Sequence, residues 1–301
     1  MSFTRFDRLV SLYVSRPLRR AGWARRGGWL PILMYHSVSS DREEGVGPYY
    51  RLLTSPQRFA EQMQWLADLG YVGLALEDAL PMLLAKKVNG RRPVVITSDD
   101  GFRDFHTAAW PVLRRHGFTA TVYLPTGFVS RERKLFRGRE CLTWDEVREL
   151  RRSGIRFGSH TVNHPKLYEM SWSEIENETR ISKERIQQEL QEEVTSFAYP
   201  YAFPQEDGPF RQTIASLLRE RGYRSCVTTV VGRSQATDDP LFLKRLPINS
   251  CDDRSLFEAK LEGAYDWLGP AQYAYRQIKR SATLGRGRPR AEERHMKAKA
   301  E

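Results

Sequence analysis

Two polar clusters, each directly after a short apolar run, constrain this chain more than any other feature. The sequence T-S-D-D-G occupies positions 97–101 after P-V-V-I, and H-T-V-N-H occupies positions 160–164 after I-R-F-G-S. Short apolar runs are typical of strands that are buried on both faces of a parallel sheet. Two carboxylates and two imidazoles supply three metal ligands and one further acid or base, but only if both strands end at the same edge.

Strand-like and helix-like segments alternate along the chain, which predicts an α/β fold with parallel strands, right-handed crossovers and helices outside. Both a closed barrel and an open doubly wound sheet fit this order. No G-x-G-x-x-G follows the first strand, so a dinucleotide site is disfavoured. The predicted strands are 31–38, 93–97, 119–124, 155–159, 195–199, 223–229 and 242–248, and the predicted helices are 55–69, 78–87, 104–116, 143–152, 171–190, 209–221 and 254–268.

Charge is unevenly distributed over the 301 residues, whose formal net charge is +11. In residues 30–269, which are predicted to form the main domain, positive and negative charges are closer to balance. Both ends of the sequence are basic. Residues 1–29 are predicted to form a basic amphipathic arm, and residues 270–301 a basic, disordered tail. Such an arm could lie on an anionic membrane surface, and the alternative is a helix that packs on the domain.

Several classes of protein are disfavoured by what the sequence lacks. The three cysteines, Cys141, Cys226 and Cys251, are far apart, which argues against a disulfide scaffold and a thiolate zinc site. No apolar run is long enough to span a membrane, and the N-terminus does not read as a signal peptide. We therefore expect a protein that is cytoplasmic or peripheral at the cytoplasmic membrane face, which secreted, processed protein in a fractionation would contradict. No motif indicates specific nucleic-acid binding.

Two further polar segments follow predicted strands, namely Tyr35-His36 and Tyr199-Pro200-Tyr201. In a parallel barrel all strand ends of this kind meet at one face, where the catalytic residues of barrel enzymes gather. Each motif alone has an ordinary explanation, since acid pairs cap turns and histidines four positions apart occur on helix faces. Together, the four segments favour a metal site.

These motifs resemble those of the polysaccharide deacetylases, the NodB-type domain of carbohydrate esterase family four. T-S-D-D-G is similar to that family's T-F-D-D-G, and H-T-V-N-H matches its H-[ST]-x-x-H. F-A-Y-P-Y-A at 197–202 resembles a third block, F-x-Y-P-x-G, and L-M-Y-H-S-V at 33–38 resembles a strand common in bacterial members. The resemblance covers about residues 30–250.

The resemblance implies a distorted (β/α) barrel of about seven strands that hydrolyses N-acetyl groups of amino sugars in a glycan. By motif, Asp100, His160 and His164 would bind a divalent metal, with zinc the favoured ion, and Asp99 would be the general base. The backbone N–H of Tyr201 would stabilise the oxyanion. The substrate-binding candidates are Tyr199, Pro200 and Arg245.

Three departures from the family pattern matter. Ser98 replaces the usual aromatic residue and is expected to affect packing only, while Ala198 stands where many members place an arginine that orients the base. The late strand lacks the family's general-acid histidine. His36 is the substitute we favour, although a core histidine bonded to backbone explains it equally well, and Arg245 could contribute charge instead.

The sequence therefore favours a metal-dependent N-deacetylase that acts on an N-acetylated saccharide, such as an intermediate of exopolysaccharide biosynthesis. One alternative is a deformylase or another amidase on a lipid-linked sugar, which would use the same site with a different pocket. The other is a carbohydrate-binding domain with a degenerate site.

Overall fold

The computed structural model describes residues 5–23, 28–41, 43–85 and 92–284. Its eight parallel strands are β1 (Ile32–Tyr35), β2 (Tyr71–Leu74), β3 (Arg92–Ser98), β4 (Thr121–Leu124), β5 (Arg156–Ser159), β6 (Ser196–Ala198), β7 (Ser225–Val231) and β8 (Leu243–Pro247). They pair in the order β1-β8-β7-β6-β5-β4-β3-β2, and β1 pairs again with β3. This last pairing closes seven strands into a barrel, and β2 lies outside against the first half of β3.

The closed barrel confirms the predicted (β/α) fold and excludes the open sheet. Its helices are α1 (Pro56–Asp68), α2 (Leu76–Leu84), α3 (Trp110–Arg115), α4 (Trp144–Arg152), α5 (Trp172–Leu190), α6 (Gly208–Glu220), α7 (Arg254–Leu261) and α8 (Leu268–Leu284). Ser55 caps α1 as predicted, and the capping boxes that begin with Thr143 and Ser171 start α4 and α5. Side-chain caps satisfy backbone N–H groups that a helix leaves free, so these boundaries were readable locally.

Two buried apolar clusters support the barrel and position the carboxyl ends of its strands. The larger one lies between strands and outer helices and includes Val94 and Ile96, whereas Val95 belongs to a second cluster with Tyr123. Successive strand residues point to opposite faces, so Val95, Thr97 and the residue after the strand, Asp99, share the inward face of β3. The barrel interior is thus apolar toward the amino ends of the strands and polar toward their carboxyl ends.

The N-terminal helical segment (6–23) packs on the domain through its arginines. The ion pairs are Arg8–Asp253, Arg16–Glu258, Arg16–Glu262, Arg19–Asp266 and Arg20–Glu262. Carboxylates of the same chain therefore pair with the basic face of these residues, which favours the alternative of a helix that packs on the domain; contact with an anionic membrane surface gains no support. Apolar side chains of the segment, including Phe6, Tyr13 and Val14, are exposed instead.

Helix α8 corrects a second expectation, since a disordered tail was predicted from residue 270. The side chain of Gln272 donates to the hydroxyl of Tyr49 and accepts from the backbone N–H of Val231, and Arg276 donates to the carbonyl of Phe203. Polar contacts hold this helix against the domain. Its sequence therefore shows little of the apolar periodicity by which a packed helix is usually predicted. Residues 285–301 of the predicted tail lie outside the described residues. Within the described part of the chain, no helix is long and apolar enough to cross a bilayer.

Candidate active site

The strand ends that carry the predicted site meet around one cavity of about 320 Å³ at the carboxyl edge of the barrel. We call this the catalytic cavity, and its polar wall includes Asp99 and Asp100 after β3 and His160 after β5. The other predicted residues that line it are His36, His164, Tyr199 and Tyr201. Segments from four different strands therefore supply one site, as the barrel topology requires.

Asp100, His160 and His164 form a buried group whose ligand atoms all lie within 4.8 Å of one another. Oδ1 of Asp100 is 3.2 Å from Nε2 of His164 and 3.6 Å from Nε2 of His160. In the described residues this buried oxygen makes no hydrogen bond, and neither does Nδ1 of His164. Buried polar atoms are rarely left unsatisfied, so one carboxylate and two imidazoles arranged in this way fit a divalent cation.

A hydrogen bond behind His160 fixes the orientation of its ring. Nδ1 of His160 is 2.7 Å from the carbonyl oxygen of Ala198, and donation to that oxygen leaves the Nε2 lone pair directed toward Asp100. Burial and the neighbouring His164 lower the pKa of His160 to about 4, so the ring is neutral near pH 7. A neutral imidazole is the form that binds metal.

Glu178 of α5 holds the loop between the two histidines, a role that sequence reasoning missed. Its Oε2 accepts from the backbone N–H groups of Val162 and Asn163 at 2.8 and 2.9 Å, and its Oε1 accepts from the Asn163 side chain. The only signal in the sequence was an acidic residue that faces the domain on a mostly polar helix. Because the loop amides depend on this carboxylate, Glu178 is a positioning residue for His160 and His164.

Four non-glycine residues of the site have left-handed backbone conformations. Their φ angles are 71° at Asp100, 68° at Thr161, 53° at His164 and 55° at Tyr201. This region is sparsely populated by residues with a Cβ atom, and such conformations cluster at functional sites. The surrounding hydrogen bonds therefore hold the ligand side chains in place at a cost in local backbone energy.

Arg245 of β8 holds Asp99. It takes the place of the arginine that many family members have at the position of Ala198. The guanidinium is bidentate, with Nη1 2.7 Å from Oδ1 and Nη2 2.7 Å from Oδ2 of Asp99. Arg245 also donates to the hydroxyl of Thr97 and the carbonyl of Thr228. Burial alone would raise the pKa of Asp99, but Arg245 overrides it and holds that pKa well below its usual range.

This placement corrects the prediction that Arg245 binds substrate, because its side chain is 0% exposed and faces Asp99. Pro200, a second predicted substrate contact, is also buried. Tyr199 lines the catalytic cavity but is almost fully buried, with its ring edge-on to Phe203 at 4.8 Å between centroids. Because Tyr199 still lines the cavity, its contact with substrate stays a prediction.

His36 lies beside Asp99, with Nε2 4.0 Å from Oδ2 of Asp99 and a side chain that is 15% exposed. Burial lowers the pKa of His36, and the charges of Asp99 and Asp100 oppose this effect. In the described residues its ring makes no bond to backbone, which disfavours the alternative of a core histidine. The hydroxyl of Ser98 donates to the carbonyl of His36, so Ser98 anchors this residue and does more than affect packing.

Tyr201 stands at the cavity mouth with 39% of its surface exposed, and its ring lies 4.7 Å from that of His164. Thr229 donates to the Tyr201 carbonyl, whereas the Tyr201 backbone N–H has no acceptor in the described part of the chain. Tyr49 and Tyr50 also line the cavity, and Tyr50 is 72% exposed. This part of the cavity therefore combines the backbone N–H of Tyr201 with exposed aromatic rings.

Comparisons with known proteins agree with this geometry. Residues 86–225 match the family model described as Polysaccharide deacetylase. The chain is 28% identical over 233 residues to YxkH of Bacillus subtilis, named as a polysaccharide deacetylase, with 77% of this chain and 76% of that protein covered. It is 30% identical over 151 residues to the poly-beta-1,6-N-acetyl-D-glucosamine N-deacetylase of Escherichia coli K12, with 47% of this chain and only 21% of that protein covered.

The structure of the Streptococcus pyogenes deacetylase PplD in complex with acetate aligns with a TM-score of 0.66 at 26% identity, covering 77% of this chain and 98% of that chain.

Proposed function

This chain belongs to the polysaccharide deacetylase family, and we propose that it removes N-acetyl groups from an amino-sugar glycan, or its biosynthetic intermediate, by metal-dependent hydrolysis. The observation that carries the proposal is the buried Asp100, His160 and His164 group beside an ionised Asp99 in one cavity. A relative named as a poly-beta-1,6-N-acetyl-D-glucosamine N-deacetylase supports the saccharide class.

Asp100, His160 and His164 would hold the ion, and their oxygen and nitrogen donors suit zinc without any thiolate. When bound, such an ion polarises the amide carbonyl and lowers the pKa of a coordinated water. Asp99 accepts the proton as water attacks, since the bidentate pair with Arg245 keeps its carboxylate ionised and oriented.

The two remaining tasks belong to groups at the rim and wall of the catalytic cavity. The Tyr201 backbone N–H donates to the oxygen that gains negative charge. His36 donates a proton to the departing nitrogen, so that acetate and a free amine leave. The proton that Asp99 accepted from water then returns to His36 for the next turnover, which requires Nε2 of His36 and Oδ2 of Asp99 to approach from their present 4.0 Å.

We expect the zinc-loaded protein to release acetate from oligosaccharides of N-acetylglucosamine, with an equal gain of free amine. An enzymatic acetate assay and amine labelling measure both products on β-1,6- and β-1,4-linked substrates. Release of formate from N-formyl sugars, without acetate from any acetylated one, would indicate the deformylase. Saccharide binding without release of either acid would indicate a degenerate binding domain, and both outcomes contradict the proposal.

His36→Gln tests the general acid. We expect kcat for an N-acetyl amide to fall about 10²-fold, because an amine is a poor leaving group unless it is protonated. Hydrolysis of an activated acetate ester, whose leaving group needs no proton, should fall only a few-fold. His116→Gln, which alters a histidine that stacks on Phe118 away from the cavity, is the control. Equal losses on amide and ester would remove His36 from the proton-transfer step.

A further inference from the structure

The catalytic cavity carries more positive charge than a neutral glycan requires. Three arginines line it, Arg51, Arg137 and Arg276, whereas among the described residues the carboxylates in its wall are Asp99 and Asp100 alone. Asp99 is already paired with Arg245, and Asp100 belongs to the candidate metal group. Neither carboxylate is therefore available to neutralise the lining arginines, and a cleft lined with one sign of charge concentrates ligands of the opposite sign.

Arg137 is the most exposed of these cations and is held at the cavity by a tight hairpin. The hairpin pairs Leu135–Phe136 with Arg139–Glu140, and its two turn residues, Arg137 and Gly138, have φ angles of 50° and 75°. Positive φ at both central positions is typical of a primed two-residue turn. The geometry of the turn therefore fixes the backbone position from which the Arg137 side chain extends.

Aromatic rings then direct the guanidinium of Arg137 to the mouth of the cavity. Its Cζ atom lies 5.0 Å from the ring of Phe136 and 5.1 Å from the ring of Tyr201, and the Tyr201 ring is 4.7 Å from that of His164. Within the described residues, no carboxylate pairs with Arg137. Cation–π contacts orient a guanidinium while leaving its N–H groups free to bind an anion.

Arg51 supplies a second guanidinium without a carboxylate partner in the described residues. Its Nε donates to the carbonyl of Val46 at 3.2 Å, and its Nη1 lies 3.6 Å from Sγ of Cys251. Arg276 differs, because it bonds to the carbonyl of Phe203 and lies 3.8 Å from Glu206. Among the described residues, Arg51 and Arg137 are therefore the lining arginines without a carboxylate partner.

We propose that the substrate carries an oxyanion, either a carboxylate or a phosphate, close to its N-acetylated sugar, and that Arg137 and Arg51 bind it. The inference rests on the proposed function and narrows its substrate class. Guanidinium groups present paired N–H donors that match two oxygens of a carboxylate or phosphate. A neutral homopolymer of N-acetylglucosamine would leave both cations without a counter-charge in the complex.

The test compares acetate release from three oligosaccharide types of equal length: neutral chitooligosaccharides, oligosaccharides that alternate N-acetylglucosamine with glucuronate, and chitooligosaccharides with a 1-phosphate. We expect kcat/KM for one anionic type to exceed the neutral value at least about tenfold at low salt, with the advantage shrinking as salt screens the charges. The preferred type identifies the anion as carboxylate or phosphate.

Arg137→Gln and Arg51→Gln should each lower this anionic-to-neutral ratio about fivefold or more, mainly through KM, and Arg137→Lys should recover part of it. Arg211→Gln is the matched control, because the Arg211 guanidinium lies 4.9 Å from the Phe242 ring and does not line the catalytic cavity. Acetate release without an anionic preference, or an equal ratio in all variants, overturns this inference alone. If the protein releases acetate from none of the substrates, that result contradicts the proposed function and therefore this inference as well.

Discussion

Asp99→Asn is expected to reduce kcat for acetate release about 10²–10⁴-fold and to leave metal content unchanged. The amide of asparagine fits the same volume but cannot accept the proton of the attacking water. Asp99 is not part of the Asp100, His160 and His164 group, so removing its charge should not remove the ion. The measurement pairs initial rates of acetate release with metal analysis of the dialysed protein.

His160→Ala provides the complementary result, because it removes one of the three candidate ligands. We expect both metal content and activity to fall, whereas Asp99→Asn should lose activity alone. Asp104→Asn is the control for an acid-to-amide change nearby: Asp104 accepts from the hydroxyl of Ser37 and does not line the catalytic cavity. Full turnover by Asp99→Asn would show that another group takes the proton.

The parts of this site that sequence predicts are those set by local pattern and topology. Asp100 and His160 each follow a buried apolar strand, so barrel closure alone brings them to one edge. The caps at Ser55, Thr143 and Ser171 were likewise readable, because each satisfies backbone groups within its own turn.

The parts that sequence did not predict depend on partners distant along the chain. Arg245 was placed against substrate, yet it spans the barrel interior to Asp99, 146 positions away in sequence. For the N-terminal helical segment the sequence left open a membrane surface or packing on the domain, and its arginines pair with carboxylates of α7 and the loop that follows it. The sequence around a charged side chain does not indicate which distant residue it will pair with. These ion pairs are therefore known only from the folded structure.

Arg245→Gln is expected to lower the free energy of unfolding by about 3–5 kcal/mol, because it leaves the Asp99 carboxylate buried without its counter-charge. Activity should also fall steeply, since Asp99 loses both its orientation and the charge that keeps it ionised. Arg245→Lys retains the charge but loses the bidentate contact, so we expect an intermediate result. Chemical denaturation of the metal-free protein measures the stability change.

The double variant Asp99→Asn with Arg245→Gln separates a lost contact from an uncompensated charge. It should be more stable than Arg245→Gln alone, because no buried anion remains, although its activity stays low. If the double variant is no more stable than Arg245→Gln, Arg245 acts mainly through its bonds to Thr97 and Thr228.

The pH dependence of stability gives an independent test of the Asp99–Arg245 pair. In the parent, the folded-state pKa of Asp99 is lowered, so its contribution to stability is present above the unfolded pKa of about 3.9 and is lost as pH falls through the folded value. Without Arg245, burial dominates and raises that pKa, so the carboxylate destabilises the fold at neutral pH and protonation relieves this. The stability difference between parent and Arg245→Gln should therefore be larger at pH 7 than at pH 5, and a difference independent of pH would contradict the pair.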